Sequence, residues 1–367
     1  MRHPCRWIAG IAVAATVLAA GLTLRFGPAL AFSLALAAPG AEPWLAPLAS
    51  EWTREEIRLS VDGRSLDADL YRPTKPRGAL LLVHGLSLAG RRHPDLERLA
   101  RLLARQGQLV LVPHFEGLAA FRLSGREVAE IRAAIEHLRR TSQSVGIAGF
   151  SFGAGPALLA AADTPGLGVV GSFGGYADLR NVITFVTTGV HTWQGRRYVE
   201  RQEEYNRWKL LALLGGFVDD ARDRRQLEEL VTRKLANPLA DTRALESTLG
   251  AEGRAVLTLV VNRREEAVPA LLAALPADAR DALARLSPLT VLPGFRARLL
   301  IAHGIGDDSI PFTESRRLAA AVPTPARLVL FHTFHHTGPR PAWRSLTERA
   351  QDGWHLLGLA DELLSQR

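Results

Sequence analysis

The chain has 367 residues, 47% of them hydrophobic and 22% charged, which is enough apolar material for a sizeable core and rules out a disordered composition. Its single cysteine, Cys5, excludes an internal disulfide and a cysteine-built zinc framework. The net charge of +8 is carried almost wholly by arginine, with lysine only at Lys75, Lys209 and Lys234; the arginines are scattered among acidic residues and form no long basic run, which argues against a nucleic-acid partner.

In chain order, Arg2, His3 and Arg6 precede an apolar run from Trp7 to Leu24, and a second run, Phe26 to Ala38, follows Arg25 with no acidic residue before Glu42. A positive start followed by a long apolar stretch predicts an export signal or membrane anchor over residues 1–38, with the rest of the chain outside the cytoplasm. The first run, about 18 residues, is at the short end for a spanning helix. Ala35-Leu36-Ala37 offers a small-residue cleavage site. The anchor is the preferred reading and the cleaved signal stays open.

After a proline-rich joint near Pro39 to Pro47, Glu56 to Val61 alternates as a half-buried strand should, and Asp62-Gly63 predicts a tight hairpin turn into a second strand, Leu66 to Tyr71. Ala79 to Val83 predicts a buried strand. Asp95 to Arg105 has its leucines on one helical face, and Gln108 to Val112 is the next strand. Ser124 with Glu127 forms a capping box before Val128, Ile131, Ile135 and Leu138 at helical spacing. Val145 to Ala148, Leu167 to Phe173, Arg298 to Ala302 and Arg327 to Phe331 complete an expected eight strands, with a helix at Pro156 to Ala162. Alternating strands and helices with near-continuous apolar strands predict an α/β fold, a mostly parallel sheet with helices on both faces. The alternation stops between Leu179 and Gly294. Helices are expected there at Tyr198 to Leu214, Asp219 to Leu235, Glu265 to Leu275 and Ala277 to Leu286, forming an insertion over the C-terminal edge of the sheet. The expected layout is a core in two parts, residues 50–180 and 295–367, around a helical lid at 181–294.

Gly149-Phe150-Ser151-Phe152-Gly153 is a G-x-S-x-G with a strand before it and an alanine-rich helix after it. That context lifts a nucleophilic serine, Ser151, onto a strained turn whose neighbours two positions away must be small. An oxyanion would be held by two backbone N–H groups, those of Phe152 and of Leu86 in the loop after an earlier strand. His84, in the same loop, is expected to brace it and not to act as a base. His303-Gly304-Ile305-Gly306-Asp307-Asp308 follows a strand and supplies an orienting carboxylate, with Asp307 preferred and Asp308 the alternative. His332, His335 and His336 follow the last strand; His336 is the preferred base and His335 the second choice. A metal reading of this histidine cluster is disfavoured, because adjacent histidines seldom face one ion, and the chemistry requires no metal and no cofactor.

The segments LLLVHG, GFSFG, HGIGDDSIP and LFHTFHH resemble the α/β-hydrolase superfamily, and the order Ser151, Asp307, His336 is the order that superfamily uses. The third segment is similar to the dienelactone-hydrolase-like and prolyl-oligopeptidase-like branches, although dienelactone hydrolases use cysteine where this chain has Ser151. The resemblance implies an eight-stranded sheet with a lid insertion. It also implies a serine hydrolase that acts on a small-molecule acyl substrate, an ester or thioester. A peptidase or acyltransferase of the same fold is the alternative, with a non-catalytic membrane-anchored binding protein behind both. An apolar lid wall predicts a preference for small to medium acyl esters over amides.

Overall fold

A computed structural model describes residues 21, 25–45, 49–324, 326–332 and 346–365. Residues 25–37 form helix α1. Strands β1 (Trp52–Val61) and β2 (Arg64–Pro73) follow as an antiparallel hairpin in the register Val61 to Arg64. Its turn is the expected Asp62-Gly63, and both residues take positive φ, +49° and +75°, as a tight hairpin requires. Next come β3 (Gly78–Val83), α2 (Pro94–Arg105), β4 (Gln108–Pro113), α3 (Arg126–Arg139), β5 (Val145–Phe150), α4 (Ala154–Ala162) and β6 (Val170–Phe173). Glu127, in the first turn of α3, reaches back to the Ser124 backbone N–H at 3.1 Å, as the capping box predicts.

The eight-stranded sheet has the order β1-β2-β4-β3-β5-β6-β9-β10, where β9 is Leu299–Gly304 and β10 is Arg327–Phe331. Every pairing from β4 onward is parallel; only β1 with β2 and β2 with β4 are antiparallel. The central strands β3 and β4 are buried along their whole length, because helices cover both faces. The chain thus has the mixed, mostly parallel sheet that the strand pattern predicts.

Between β6 and β9 the chain departs in detail from expectation. Helix α5 (Leu179–Thr188) is followed by a two-stranded hairpin, β7 (Val190–Trp193) and β8 (Arg196–Val199). The helix expected from Tyr198 therefore starts later, as α6 (Glu204–Gly215). The hairpin turn, Gln194-Gly195, takes φ of +47° and +77°. Then come α7 (Ala221–Ala236), capped by the Asp220 carboxylate, α8 (Ala251–Val261) and α9 (Ala277–Arg285). Helix α8 was not expected, and the expected Glu265 to Leu275 helix is a 3₁₀ turn running into a short helix, Val268–Ala273. Helices α10 (Phe312–Ala321) and α11 (Leu346–Ser365) follow β9 and β10.

Among the described residues no helix is long and apolar enough to cross a membrane. Apart from Gly21, the Trp7 to Leu24 run lies outside the described residues. Helix α1, the later part of the segment expected to be signal or anchor, is packed into the fold. Ala29, Phe32 and Ala35 are buried in one cluster with Leu96 and Ala100 of α2 and Leu359, Ala360 and Leu363 of α11. Burying an aromatic ring there stabilises the fold, and removing it leaves a cavity. Phe32→Ala should therefore cost about 3 kcal/mol of unfolding free energy, measured by urea denaturation; no change would mean that α1 is not part of the core.

His84, at the end of β3, is 2% exposed. Its Nδ1 lies 2.8 Å from the Gly85 carbonyl oxygen, and its Nε2 accepts the Phe115 backbone N–H at 3.0 Å. The consistent tautomer is neutral, with Nδ1–H donating. Burial pushes its pKa from 6.5 down to about 4. The ring thus joins the loops after β3 and β4 and has no nitrogen left for a base. Because the folded-state value is depressed, its contribution is present above pH 6.5 and is lost as pH falls toward 4. The difference amounts to about 3 kcal/mol. Urea denaturation across this window should show a steeper loss of stability for the wild type than for His84→Gln; parallel curves would refute the neutral buried imidazole.

Candidate active site

Ser151 has φ +51°, a left-handed conformation that costs a residue with a side chain about 1–2 kcal/mol. It stands between the end of β5 and a 3₁₀ turn, Ser151–Gly153, that leads into α4. The turn folds this way because its neighbours lack side chains. A Cβ on Gly149 would lie 2.5 Å from the Ala154 Cα, and one on Gly153 would lie 2.1 Å from the His84 carbonyl oxygen. Gly155 is equally constrained by the Tyr176 ring, whose hydroxyl would be 2.1 Å from a Cβ there. The strand-to-helix corner is thus clamped on three sides, with the serine at its apex.

The loop after β3 lies against this apex. A Cβ on Gly85 would be 2.9 Å from the Ser151 Cβ and 3.5 Å from its Oγ. The structure therefore brings the His84-Gly85-Leu86 segment and Ser151 together. Leu86 is half-buried and packs against the main core. Phe152 is buried, its ring centroid 5.7 Å from that of Tyr176.

Asp307 is 5% exposed in the turn after β9. Its Oδ1 accepts the backbone N–H groups of Ser309 at 2.9 Å and Ile310 at 3.0 Å. Its Oδ2 lies 3.6 Å from the His303 Nε2 and faces Gly174 at the end of β6. His303 in turn donates to the Ile310 carbonyl oxygen at 2.9 Å, and its Nδ1 lies 2.6 Å from Ser315 Oγ; it holds the turn in shape. Asp308 is half-buried, and its carbonyl accepts from Asn206 Nδ2 at 2.9 Å. Strands β5, β6 and β9 are parallel neighbours. Ser151 and Asp307 therefore leave the same sheet edge two strands apart, roughly 10 Å between strand axes.

The segment after β10 leaves at that edge too, since Phe331 pairs with Gly304. His332, its first residue, is turned to α11: its backbone N–H donates to the Asp352 carboxylate at 3.1 Å, and its Nδ1 is 3.5 Å from Asp352 Oδ1. His335 and His336 lie outside the described residues. Among the described residues no group of three metal-ligating side chains comes together.

Three supporting residues escaped the sequence reading. Glu314, fully buried at the start of α10, accepts from the backbone N–H groups of Ala177 and Asp178 at 3.0 and 2.8 Å, from Asn181 at 3.0 Å and from Arg317 at 2.9 Å. Burial pushes its carboxyl above the usual range. It binds the chain after β6 to the chain after the Asp307 turn. Asn206 of α6 bonds the same turn twice, through Asp308 and through the Ser309 hydroxyl at 3.1 Å. Lys209, one turn further along α6, lies over the Tyr205 ring with Nζ 4.8 Å from its centroid. Burial lowers its pKa, and the Asp308 and Asp307 carboxylates oppose that shift. A glutamate just after Ile310-Pro311 was the only local sign of the first. The other two depend on where the insertion docks, which no local pattern reveals. The groove lined by Trp52, Arg72, Thr74 and Arg105 is lined by none of these residues.

No protein-family model matches the chain, and a search of curated proteins finds no match. Among solved structures, the chain is similar to the esterase domain of a Rhodothermus marinus protein (17% identity, 84% of this chain and 98% of that one, TM-score 0.45). It is also similar to the alpha/beta hydrolase GrgF from Penicillium sp. sh18 (13% identity, 83% and 98%, TM-score 0.49). A third is the Pyrococcus horikoshii acylaminoacyl peptidase (14% identity, 86% of this chain, TM-score 0.46), of which the chain spans only 41%. These similarities are too low to carry an activity across. The eight-stranded order with its antiparallel start, the left-handed serine at the β5 corner and the buried carboxylate after β9 are the layout of the α/β-hydrolase fold.

Proposed function

We propose that the protein is a serine hydrolase that cleaves carboxylic esters or thioesters through Ser151, His336 and Asp307. The observation that carries this reading is the left-handed Ser151, held at the C-terminal edge of the sheet with the backbone of Gly85 against its side chain. A residue keeps such a conformation only where its surroundings enforce it, and such strain clusters at active sites. In this mechanism His336 takes the Ser151 hydroxyl proton as Oγ attacks the acyl carbonyl carbon. The backbone N–H groups of Phe152 and Leu86 hold the resulting oxyanion. The tetrahedral adduct collapses, and His336 gives the proton to the leaving alcohol or thiol. Water, deprotonated by the same imidazole, then releases the acid and restores Ser151. Asp307 orients the imidazole, and its Oδ1 is already committed to two backbone donors, which fixes the carboxylate plane. The insertion forms the acyl-binding wall, and the N-terminal run anchors the domain on the outer side of a membrane.

Ser151→Ala should abolish fluorophosphonate labelling and lower kcat by ~10⁶ while leaving the unfolding midpoint unchanged. Labelling that persists or maps to another serine would overturn the assignment, and faster cleavage of peptide amides than of matched esters would move the protein to the peptidases. Asp307→Asn should lower kcat by at least ~10²-fold more than Asp308→Asn, and His336→Ala should be more damaging than His335→Ala. Steady-state ester hydrolysis measures both rankings, and a reversed order transfers the role to the neighbour.

A further inference from the structure

After Arg25, helix α1 carries a single polar side chain, Ser33, and that one is buried. Its inner side, Ala29, Ala31, Phe32 and Ala35, is buried. Its start is tied to α11 by Arg25 and Asp361, with Nη2 to Oδ2 at 2.8 Å, and its end is tied to α2 by the Arg98 guanidinium on the carbonyls of Ala35 and Leu36. A helix docked in this way normally turns a polar stripe to solvent. Here the outward residues are Phe26, Leu30 and Leu34, exposed by 40%, 48% and 45%. They recur every four residues and so form one face, which the exposed Ala37 continues. From Phe26 to Ala41 there is no charged residue. On α11, the helix that Arg25 meets at Asp361, Trp354 is 73% exposed.

We propose that this face, Phe26, Leu30 and Leu34, rests on a lipid bilayer, so that the folded domain lies against the membrane surface. The covalent neighbour of the face selects lipid over a protein partner. Only Arg25 separates Phe26 from the Trp7 to Leu24 run, so whatever takes up that run lies within reach of α1. From Phe26 to Ala41 the α1 face offers no carboxylate to repel anionic headgroups. Phenylalanine and leucine on an uncharged helix face are side chains that bury into the headgroup–acyl boundary. Because α1 is also part of the core, the contact fixes the orientation of the whole hydrolase domain, which a flexible tether would leave free. The proposal rests on the reading that the N-terminal run enters a membrane.

The test uses the full-length chain on phosphatidylcholine–phosphatidylglycerol vesicles. In a Cys5→Ser background, a single environment-sensitive fluorophore is attached at Leu30→Cys, at Leu34→Cys or at the control Leu239→Cys in the insertion, where the native residue is 92% exposed. Labels at 30 and 34 should be quenched by doxyl-labelled lipid and protected from aqueous iodide, with the opposite result at 239. If the chain binds vesicles but iodide quenches 30 and 34, the lipid-facing surface is refuted while the anchor survives. If both quenchers fail at 30 and 34, protein covers the face, either residues 7–24 or a second copy, and the proposal is equally refuted. A chain that does not bind vesicles refutes both the surface and the anchor. Ester hydrolysis by the same samples is independent of every one of these outcomes.

Discussion

Ser151 keeps its left-handed backbone only because three glycines around it have no side chains. Gly149 lets β5 touch α4, Gly153 lets the turn touch the end of β3, and Gly85 lets the next loop touch the serine itself. The first two are backbone-to-backbone approaches and the third sets backbone against the serine side chain, and a methyl group would crowd each of them. The strain of a positive φ is therefore offset by contacts made across three separate elements. The position of the serine is a property of the sheet and not of the local turn, and the loops that complete the site are positioned against it.

The acid side of the site is built on a different principle. Nothing there is strained; instead, polar groups are buried and paired. Asp307 spends one oxygen on two backbone donors, His303 spends one ring nitrogen on the Ile310 carbonyl and the other on Ser315 of α10, and Glu314 joins the β6 and β9 loops with four accepted bonds. Buried carboxylates and imidazoles are costly unless satisfied in this way. Satisfied, they specify one arrangement. Ser151 is thus held by close packing and Asp307 by hydrogen bonding.

How much of this was legible in the sequence follows the range of the forces involved. The eight strands, the Asp62-Gly63 turn and the G-x-S-x-G corner are set by residues adjacent in the chain, and each could be read directly. The β7–β8 hairpin was missed, although Gln194-Gly195 supplies the same pair of positive φ values, because its strands are only four residues long and the second opens with Arg196-Arg197. Helix α8 was missed because it ends in Leu257-Thr258-Leu259-Val260-Val261, a run that lacks a clean helical period. Helix α1 was read as a continuation of the leader, since its apolar character is the same whether its partner is lipid or Leu359 and Leu363. Glu314 and Asn206 were beyond reach, because each acts on residues more than a hundred positions away.

The two bonds from Asn206 to the Asp307–Ser309 turn have an implication for how this fold diversifies. Lid insertions are commonly regarded as exchangeable modules, replaced to change specificity while the catalytic core is inherited intact. In this chain the insertion, through Asn206, holds the turn that carries Asp307. An insertion transplanted from another protein would not bring an amide to that point, and the Asp307–Ser309 turn would lose one of its supports. Under the proposed function, specificity and the placement of the acid are therefore inherited together, and a new insertion must supply that side chain or be matched by a change in the core.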